Sequence, residues 1–281
     1  EYEAEEFLKR KLTDIFVIDT DMARNCIRED LSAGQRFLGP RLLRTRKGTF
    51  VHAEASSAVI SYRSSKAILV TARNISDRVR LEDQILADVH LAANVQRHFL
   101  PESLMNPWVQ VEGIYSPRYS ISGDIYSYIW NPKTNCLSGF LLDVSGHGIA
   151  TSLLTSVLLP LAKESMAKEI PLHERVSWLN HQSQEWFRDG AYAVGIFFEL
   201  DVALHSMTYV PAGIGRFIHS GTQGCRLLKS PGFMLGLWPQ AVYETQILSF
   251  QSGDAVFFVT DGISDLLHGD KLQFFPEKSF P

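Results

Sequence analysis

The sequence has 281 residues, 45% hydrophobic and 21% charged, with a formal net charge of -4 at pH 7. This composition is typical of a globular protein with enough chain for one large or two ordinary domains. The acidic balance argues against a nucleic-acid-binding protein, which usually carries a basic stripe. The three cysteines are odd in number and far apart, which is typical of a reducing compartment and predicts a cytoplasmic location.

Residues 1–77 are predicted to form a small α+β unit. Two extended runs, 48–62 and 67–73, are separated by a polar turn at 63–66. Such a pattern predicts an antiparallel hairpin.

Residues 78–103 are predicted to be a linker helix. Ser76 or Asp77 can cap it and Pro101 stops it. Apolar residues follow at steps of three and four, which indicates either a plain packed helix or a coiled coil that joins two copies into a homodimer. This stripe consists of Leu81, Ile85, Val89, Ala92, Val95 and Phe99.

Residues 104–281 form the third part, in which many strands accompany two helices. The first helix contains the longest mostly apolar run, 149–162, which is too short to span a bilayer and predicts no membrane association. The pattern indicates an α+β sandwich in which helices pack on sheets. The predicted strands are 109–115, 125–130, 138–144, 193–200, 206–211, 217–220, 245–250 and 255–260, and the predicted helices are 149–168 and 172–187.

Three of these strands have an aspartate beside a glycine at one end: Asp124 after Gly123, Asp143 before a Ser-Gly-His-Gly turn, and Asp261 before Gly262. Taken singly, each aspartate is equally typical of an Asx-turn or a helix cap. If the three ends converge, however, the carboxylates form a negative cluster that needs cations. Oxygen ligands favour Mg²⁺ or Mn²⁺, and two such ions can activate water and clamp a phosphoryl group.

These motifs resemble the metal-dependent serine/threonine phosphatases of the PPM (type-2C) clan, and within it the stage II sporulation E branch that includes RsbU and RsbP. The Asp-Val-Ser-Gly-His-Gly motif of this branch is present in full at 143–148. The resemblance implies an α+β fold, the PPM-type α-β-β-α sandwich with two central antiparallel sheets flanked by helices. The other matching segments are 94–101, 122–127, 209–214, 232–236, 253–254 and 260–262.

The resemblance also implies a role for each site residue. Asp143 would bridge two Mn²⁺ or Mg²⁺ ions, and the backbone carbonyl of Val144 would complete one metal site. Asp261 would hold the other ion, and Asp124 would orient the attacking water or bind a metal itself. The loop would be shaped by Gly146, Gly148 and Gly262, and His147 would act as an acid or shape the turn. Arg118 is the candidate phosphate-binding arginine.

Two departures from the family pattern predict a weaker metal site. Ser127 stands where the family has a second aspartate, so we expect one carboxylate fewer in the cluster. The family also ends in an Asp-Asp-x-Thr segment, which the tail up to Pro281 lacks. We expect that either the sequence is part of a longer chain or this ligand is missing.

The N-terminal part resembles the end of a PAS sensor domain, through residues 44–48, the two strands that follow and residues 72–78. The whole pattern therefore predicts a sensor-controlled phosphatase, in which the sensor and linker helix order the metal site. By resemblance, its substrate is a phosphorylated STAS-type anti-anti-sigma protein. Two alternatives remain open: a catalytically degenerate regulator that binds a partner, and a sensory or dimerisation module.

Overall fold

The structure is a computed structural model that describes residues 2–17, 25, 35–117, 120–188, 190–222 and 224–261. The chain divides into two compact units, Glu1–Asp88 and Val89–Pro281. The domain bounds proposed from the sequence, at residues 77 and 103, stay a prediction.

The N-terminal unit contains a three-stranded antiparallel sheet. Its last two strands are joined at Arg63 and Ser64, whose φ angles are +47° and +64°, as in a tight hairpin turn. The predicted hairpin is therefore confirmed, whereas the PAS assignment stays a prediction. The elements are helices α1 (Ala4–Phe7) and α2 (Leu12–Ile15), and strands β1 (Gln35–Arg44), β2 (Phe50–Tyr62) and β3 (Ser65–Asn74), which lie in this order in the sheet.

The predicted linker helix is present as α3 (Ser76–His98) and ends three residues before Pro101. Ala93 and Gln96 are its buried residues, and most of the apolar stripe lies on a neighbouring, exposed face. The helix therefore presents two different surfaces. No helix in the described ranges combines the length and apolar character that crossing a membrane requires.

The described part of the C-terminal unit contains antiparallel sheets of five, three and two strands and the two helices predicted from the sequence. The larger sheet has the strand order β12-β9-β8-β7-β6, the smaller one β11-β10-β13, and β4 pairs with β5. This architecture confirms the predicted α+β class. The elements are β4 (Leu104–Met105), β5 (Gln110–Val111), β6 (Asp124–Asn131), β7 (Cys136–Val144), α4 (Ile149–Met166), α5 (Leu172–Ser183), β8 (Ala193–Asp201), β9 (Ser206–Ala212), β10 (Arg216–Gly221), β11 (Gly224–Lys229), β12 (Gln246–Ser249) and β13 (Ala255–Phe257).

Each face of the larger sheet packs into its own hydrophobic core. Leu142 belongs to the core between this sheet and helices α4 and α5. Leu141 packs into the second core, which lies between the two sheets and contains Phe198 and Phe217. Because side chains alternate along a strand, Asp143 at the end of β7 faces the space between the sheets.

Some elements are shorter than the sequence predicted. The strand expected over 109–115 reduces to β5, the strand expected over 255–260 reduces to β13, and the helix expected over 172–187 ends at Ser183. In each case the apolar pattern continues beyond the last regular hydrogen bonds, so the pattern alone overstates the length of the element. Strand β11 was not predicted, because Gly224–Lys229 is almost fully exposed and shows no alternation of burial.

We expect the core between the sheets to depend on Phe217. Its side chain is fully buried, and its ring lies 5.1 Å from Tyr209 and 5.4 Å from Phe258, measured between centroids. The change Phe217→Ala should lower the free energy of unfolding by about 3–5 kcal/mol, measured by urea denaturation. Phe233→Ala, at a half-exposed ring, is the control and should have a much smaller effect. Equal losses in the two variants would contradict the described core.

Candidate metal centre

Two predicted site residues lie directly opposite each other. Strands β6 and β7 pair in the register that places Asp124 against Asp143. In such a pair the Cβ atoms are about 4.5–5.5 Å apart. Both side chains face the space between the sheets. Tyr128 lies on the same face of β6 as Asp124, and Leu141 lies on the same face of β7 as Asp143; both pack into the core between the sheets.

The close approach of the two strand ends requires glycine at position 123. The Val144 N–H donates a hydrogen bond to the Gly123 carbonyl, at 3.1 Å. A Cβ atom at Gly123 would lie only 2.7 Å from the Val144 carbonyl oxygen and 2.9 Å from the Thr151 side chain. This carbonyl is the predicted backbone ligand, so a small residue beside it keeps the space for the site open.

The turn after β7 has the backbone geometry that its sequence predicts. Gly146 and Gly148 have φ angles of +95° and +92°, which L-residues with a side chain rarely adopt. The turn is anchored at Ser145, whose N–H donates to the Tyr192 carbonyl at 2.8 Å and whose hydroxyl accepts from the Tyr192 N–H at 2.9 Å. His147 lies exposed on this turn, and helix α4 begins immediately afterwards.

Two hydroxyl groups hold Asp124 in place. The Asp124 N–H donates to the Ser122 hydroxyl at 3.1 Å, and the Thr260 hydroxyl donates to an Asp124 carboxylate oxygen at 3.3 Å. Thr260 immediately precedes Asp261, so this bond connects the chain after the smaller sheet to the edge of the larger one. Neither hydroxyl was predicted to have a role, since its only signal in the sequence is that it lies within two residues of an aspartate.

The site has an excess of negative charge that changes the acidity of its carboxyls. Burial, together with the charges of Asp124 and Asp261, raises the pKa of Asp143 from the ordinary value of 3.8 to about 8. Burial also raises the pKa of Asp124, to which the charge of Asp261 adds, while the hydrogen bonds from Asp143 and Thr260 oppose the rise. Both carboxyls therefore hold their protons to a higher pH than an isolated aspartate does.

This arrangement suits a hard divalent cation. Its donors are carboxylate and carbonyl oxygens, which Mg²⁺ and Mn²⁺ prefer, and a bound cation would favour the charged form of both buried carboxyls. Asp124, Asp143 and Val144 lie together, and Asp261 is near enough for its charge to act on both aspartates. Within the described ranges, however, no group of three His, Cys, Asp or Glu side chains has the geometry of a metal site. Gly262 and Arg118 lie outside the described residues, as do the acidic residues of the C-terminal tail.

The expectation that Ser127 weakens the carboxylate cluster is wrong. Ser127 is buried and lies three positions after Asp124 on the same strand, so the two side chains point to opposite faces. Its neighbour on the same face, Ile125, packs into the core beneath helices α4 and α5. An aspartate at position 127 would therefore face the helices and would not join the cluster.

Comparison with known proteins agrees with this fold. The SiaA-PP2C domain of Pseudomonas aeruginosa superposes with a TM-score of 0.52 at 16% sequence identity, over 65% of this chain and 74% of that one. The C-terminal unit is thus a PP2C-type phosphatase fold. Residues 134–280 match the family described as Stage II sporulation protein E (SpoIIE), and the chain belongs to this family.

Two curated relatives are similar in sequence. Phosphoserine phosphatase RsbP of Bacillus subtilis (strain 168) is 27% identical over 185 residues, which cover 63% of this chain and 45% of RsbP. Protein IcfG of Synechocystis sp. is 20% identical over 235 residues, which cover 73% of this chain and 36% of IcfG. The chain therefore spans less than half the length of the curated relatives it matches.

The raised pKa of Asp143 predicts a pH-dependent stability in metal-free protein. The unfolded chain has its carboxyl pKa near 3.8, and the folded one near 8. The protonated Asp143 carboxyl therefore stabilises the folded chain fully below about pH 4, and this contribution is lost as the pH rises through about 8. In EDTA, the thermal midpoint should fall over this range, and Asp143→Asn should flatten the dependence. Asp83→Asn, at an exposed helix position, should leave it unchanged. A wild-type midpoint that is constant from pH 4 to 8 would contradict the description of the pair.

Proposed function

We propose that this chain is a metal-dependent protein phosphatase that hydrolyses phosphoserine or phosphothreonine on a regulatory protein. The observation that carries the proposal is the opposed pair of Asp124 and Asp143 in a PP2C-type fold. Membership of the SpoIIE family supports it, as does the similarity to a relative named phosphoserine phosphatase.

Some residues of the site would bind the metal ions, and others would orient the attacking water or shape the turn. Asp143 would hold two ions, Mn²⁺ or Mg²⁺, with the Val144 carbonyl and Asp261 completing the two sites. When bound, the ions activate water and stabilise the charge of the phosphoryl group. Asp124, which Ser122 and Thr260 hold in place, would orient the attacking water or bind one ion. His147 is exposed on the turn and would shape it rather than act as an acid.

The proposed substrate is a phosphorylated STAS-type anti-anti-sigma protein, by resemblance to the RsbU and RsbP branch. The N-terminal unit would act as a partial PAS-like sensor, and helix α3 would carry its signal by ordering the metal site. The proposed location is the cytoplasm. Free thiols at Cys136 and Cys225 support a reducing compartment.

We further propose that helix α3 joins two copies of the chain. Leu81, Ile85 and Val95 are each at least half exposed, although a long apolar stripe on a helix normally faces a partner. A second copy of the same helix offers the matching surface, since equal stripes pack against each other in a two-stranded coiled coil.

One observation favours a second candidate, a catalytically degenerate regulator that acts by binding a partner. Only two carboxylates are directly paired among the described residues, and no group of three has metal-site geometry there. A regulator of this kind would keep the fold and the partner surface without hydrolysis.

Hydrolysis of a phosphoserine peptide tests the phosphatase. Activity should require Mn²⁺ or Mg²⁺, and Asp143→Asn should lower kcat/KM by at least about 100-fold, because a bridging ligand supplies several kcal/mol to the transition state. The control Asp83→Asn should keep full activity. Absence of wild-type hydrolysis at saturating Mn²⁺ would favour the degenerate regulator, and equal activity in wild type and Asp143→Asn would exclude this site as the catalytic one.

Sedimentation velocity over a range of concentrations tests the dimer. The double change Ile85→Glu and Val95→Glu should weaken association at least about tenfold, because each apolar side chain contributes about 1.5–3 kcal/mol when buried. The control His90→Glu lies on the opposite side of the helix and should leave association nearly unchanged. A wild-type chain that stays monomeric at all concentrations would contradict the proposal.

A further inference from the structure

One buried polar side chain lies beside the candidate metal centre and belongs to helix α3. Gln96 is 5% exposed, although glutamine is mostly found at protein surfaces. Burial of an amide is unfavourable unless its polar atoms are hydrogen-bonded. The partners of Gln96 therefore indicate why it is buried.

All of the hydrogen-bonding capacity of the Gln96 amide is used. Its nitrogen donates to the Ser122 carbonyl at 2.7 Å and to the Thr155 hydroxyl at 3.0 Å. Its oxygen accepts from the Ser122 N–H at 3.0 Å and from the Tyr115 hydroxyl at 2.9 Å. An amide has two donor hydrogens and two acceptor lone pairs, so no capacity is left over.

The contact with Ser122, called the grip below, is a pair of hydrogen bonds between the Gln96 amide and the Ser122 backbone. The Gln96 side chain binds both the N–H and the carbonyl of Ser122, as a neighbouring strand would. This pairing also fixes which end of the amide is the nitrogen. With the ends exchanged, the amide nitrogen would face the Ser122 N–H, and the amide oxygen would face the Ser122 carbonyl. The grip acts two residues before Asp124, whose own N–H donates to the Ser122 hydroxyl.

The Thr155 contact extends the hydrogen bonding of Gln96 to helix α4, which follows the turn after β7. The Thr155 hydroxyl accepts from Gln96 and donates to the Ser152 carbonyl at 2.7 Å. One turn earlier on α4, the Thr151 side chain packs against Gly123. Gln96 therefore links the segment that delivers Asp124 to the start of the helix that follows Asp143.

We propose that Gln96 is a positioning residue for the metal centre, which holds Asp124 at the place where it meets Asp143 and the bound ion. The inference rests on the proposed metal-dependent function. Gln96 does not touch the ion or the substrate. Without its amide, the backbone of Ser122 loses both hydrogen-bond partners in a partly buried place, and the segment shifts to find others.

The experiment measures Mn²⁺ binding directly, by isothermal titration calorimetry on the full chain. Gln96→Leu keeps the size of the side chain and removes all four hydrogen bonds. Loss of a residue that orients a metal ligand typically weakens metal affinity about 10–100-fold, and we expect an increase of the Mn²⁺ Kd in that range. Thr155→Val removes one of the four bonds but leaves the grip on Ser122, so we expect less than about a threefold change.

Gln84→Leu is the matched control, because it makes the same change at an exposed position of the same helix. It should leave the Mn²⁺ Kd unchanged. A cooperative thermal transition of each metal-free variant shows that the chain is folded. If Gln96→Leu does not fold, Gln96→Asn replaces it, since the shorter amide cannot reach Ser122 and Thr155 together and should also weaken Mn²⁺ binding.

The outcomes separate this inference from the proposed function. A folded position-96 variant with wild-type Mn²⁺ affinity overturns the positioning role, even if the wild-type chain is an active phosphatase. Weaker Mn²⁺ binding in that variant supports the role, even if the wild type binds Mn²⁺ without hydrolysing phosphoserine. A wild-type chain that binds no Mn²⁺ overturns both.

Discussion

The pairing of β6 with β7 holds two carboxylates face to face, and the surrounding structure is arranged around that contact. Burial in this partly closed site raises the pKa of both Asp124 and Asp143, and the negative charges of neighbouring aspartates raise it as well. The strand register, rather than any side-chain flexibility, imposes the contact. The aspartates can relieve the repulsion only by sharing a proton or by binding a cation.

Most of the neighbouring residues limit the freedom of this pair. Gly123 allows the strand ends to approach, Thr260 holds the carboxylate of Asp124, and Gln96 fixes the backbone just before it. These contacts come from three different parts of the chain. Each would be unnecessary for a simple strand end, and together they keep the two oxygen ligands in one geometry, as preorganised metal sites require.

The sequence placed Asp124 and Asp143 at neighbouring strand ends, because that feature depends on local rules. An aspartate beside a glycine at the end of an apolar strand predicts a carboxylate at a turn, and three such ends predict a cluster. The prediction for Ser127 was wrong because side chains alternate between the two faces of a strand, so residues three positions apart, such as Asp124 and Ser127, point to opposite faces. Gln96 could not be identified from the sequence, since its partner Ser122 is 26 residues away and a lone polar residue in an amphipathic helix is usually exposed. Strand β11 was missed for a related reason, because its pairing with β10 leaves no alternation of burial in its sequence.

The choice between an enzyme and a degenerate regulator depends on what the aspartate pair does for a chain without metal. In a protein that acts only by surface binding, the repulsion between Asp124 and Asp143 is a net destabilisation, and a neutral side chain at either position would remove it. The hydrogen bond from Thr260 and the grip of Gln96 would then hold a destabilising group in place without benefit. A divalent cation reverses the sign of this interaction, because both carboxylates become ligands and their fixed geometry lowers the free energy of the bound state. The supporting contacts therefore favour a metal-binding chain over a degenerate one, as the proposed metal-dependent function requires.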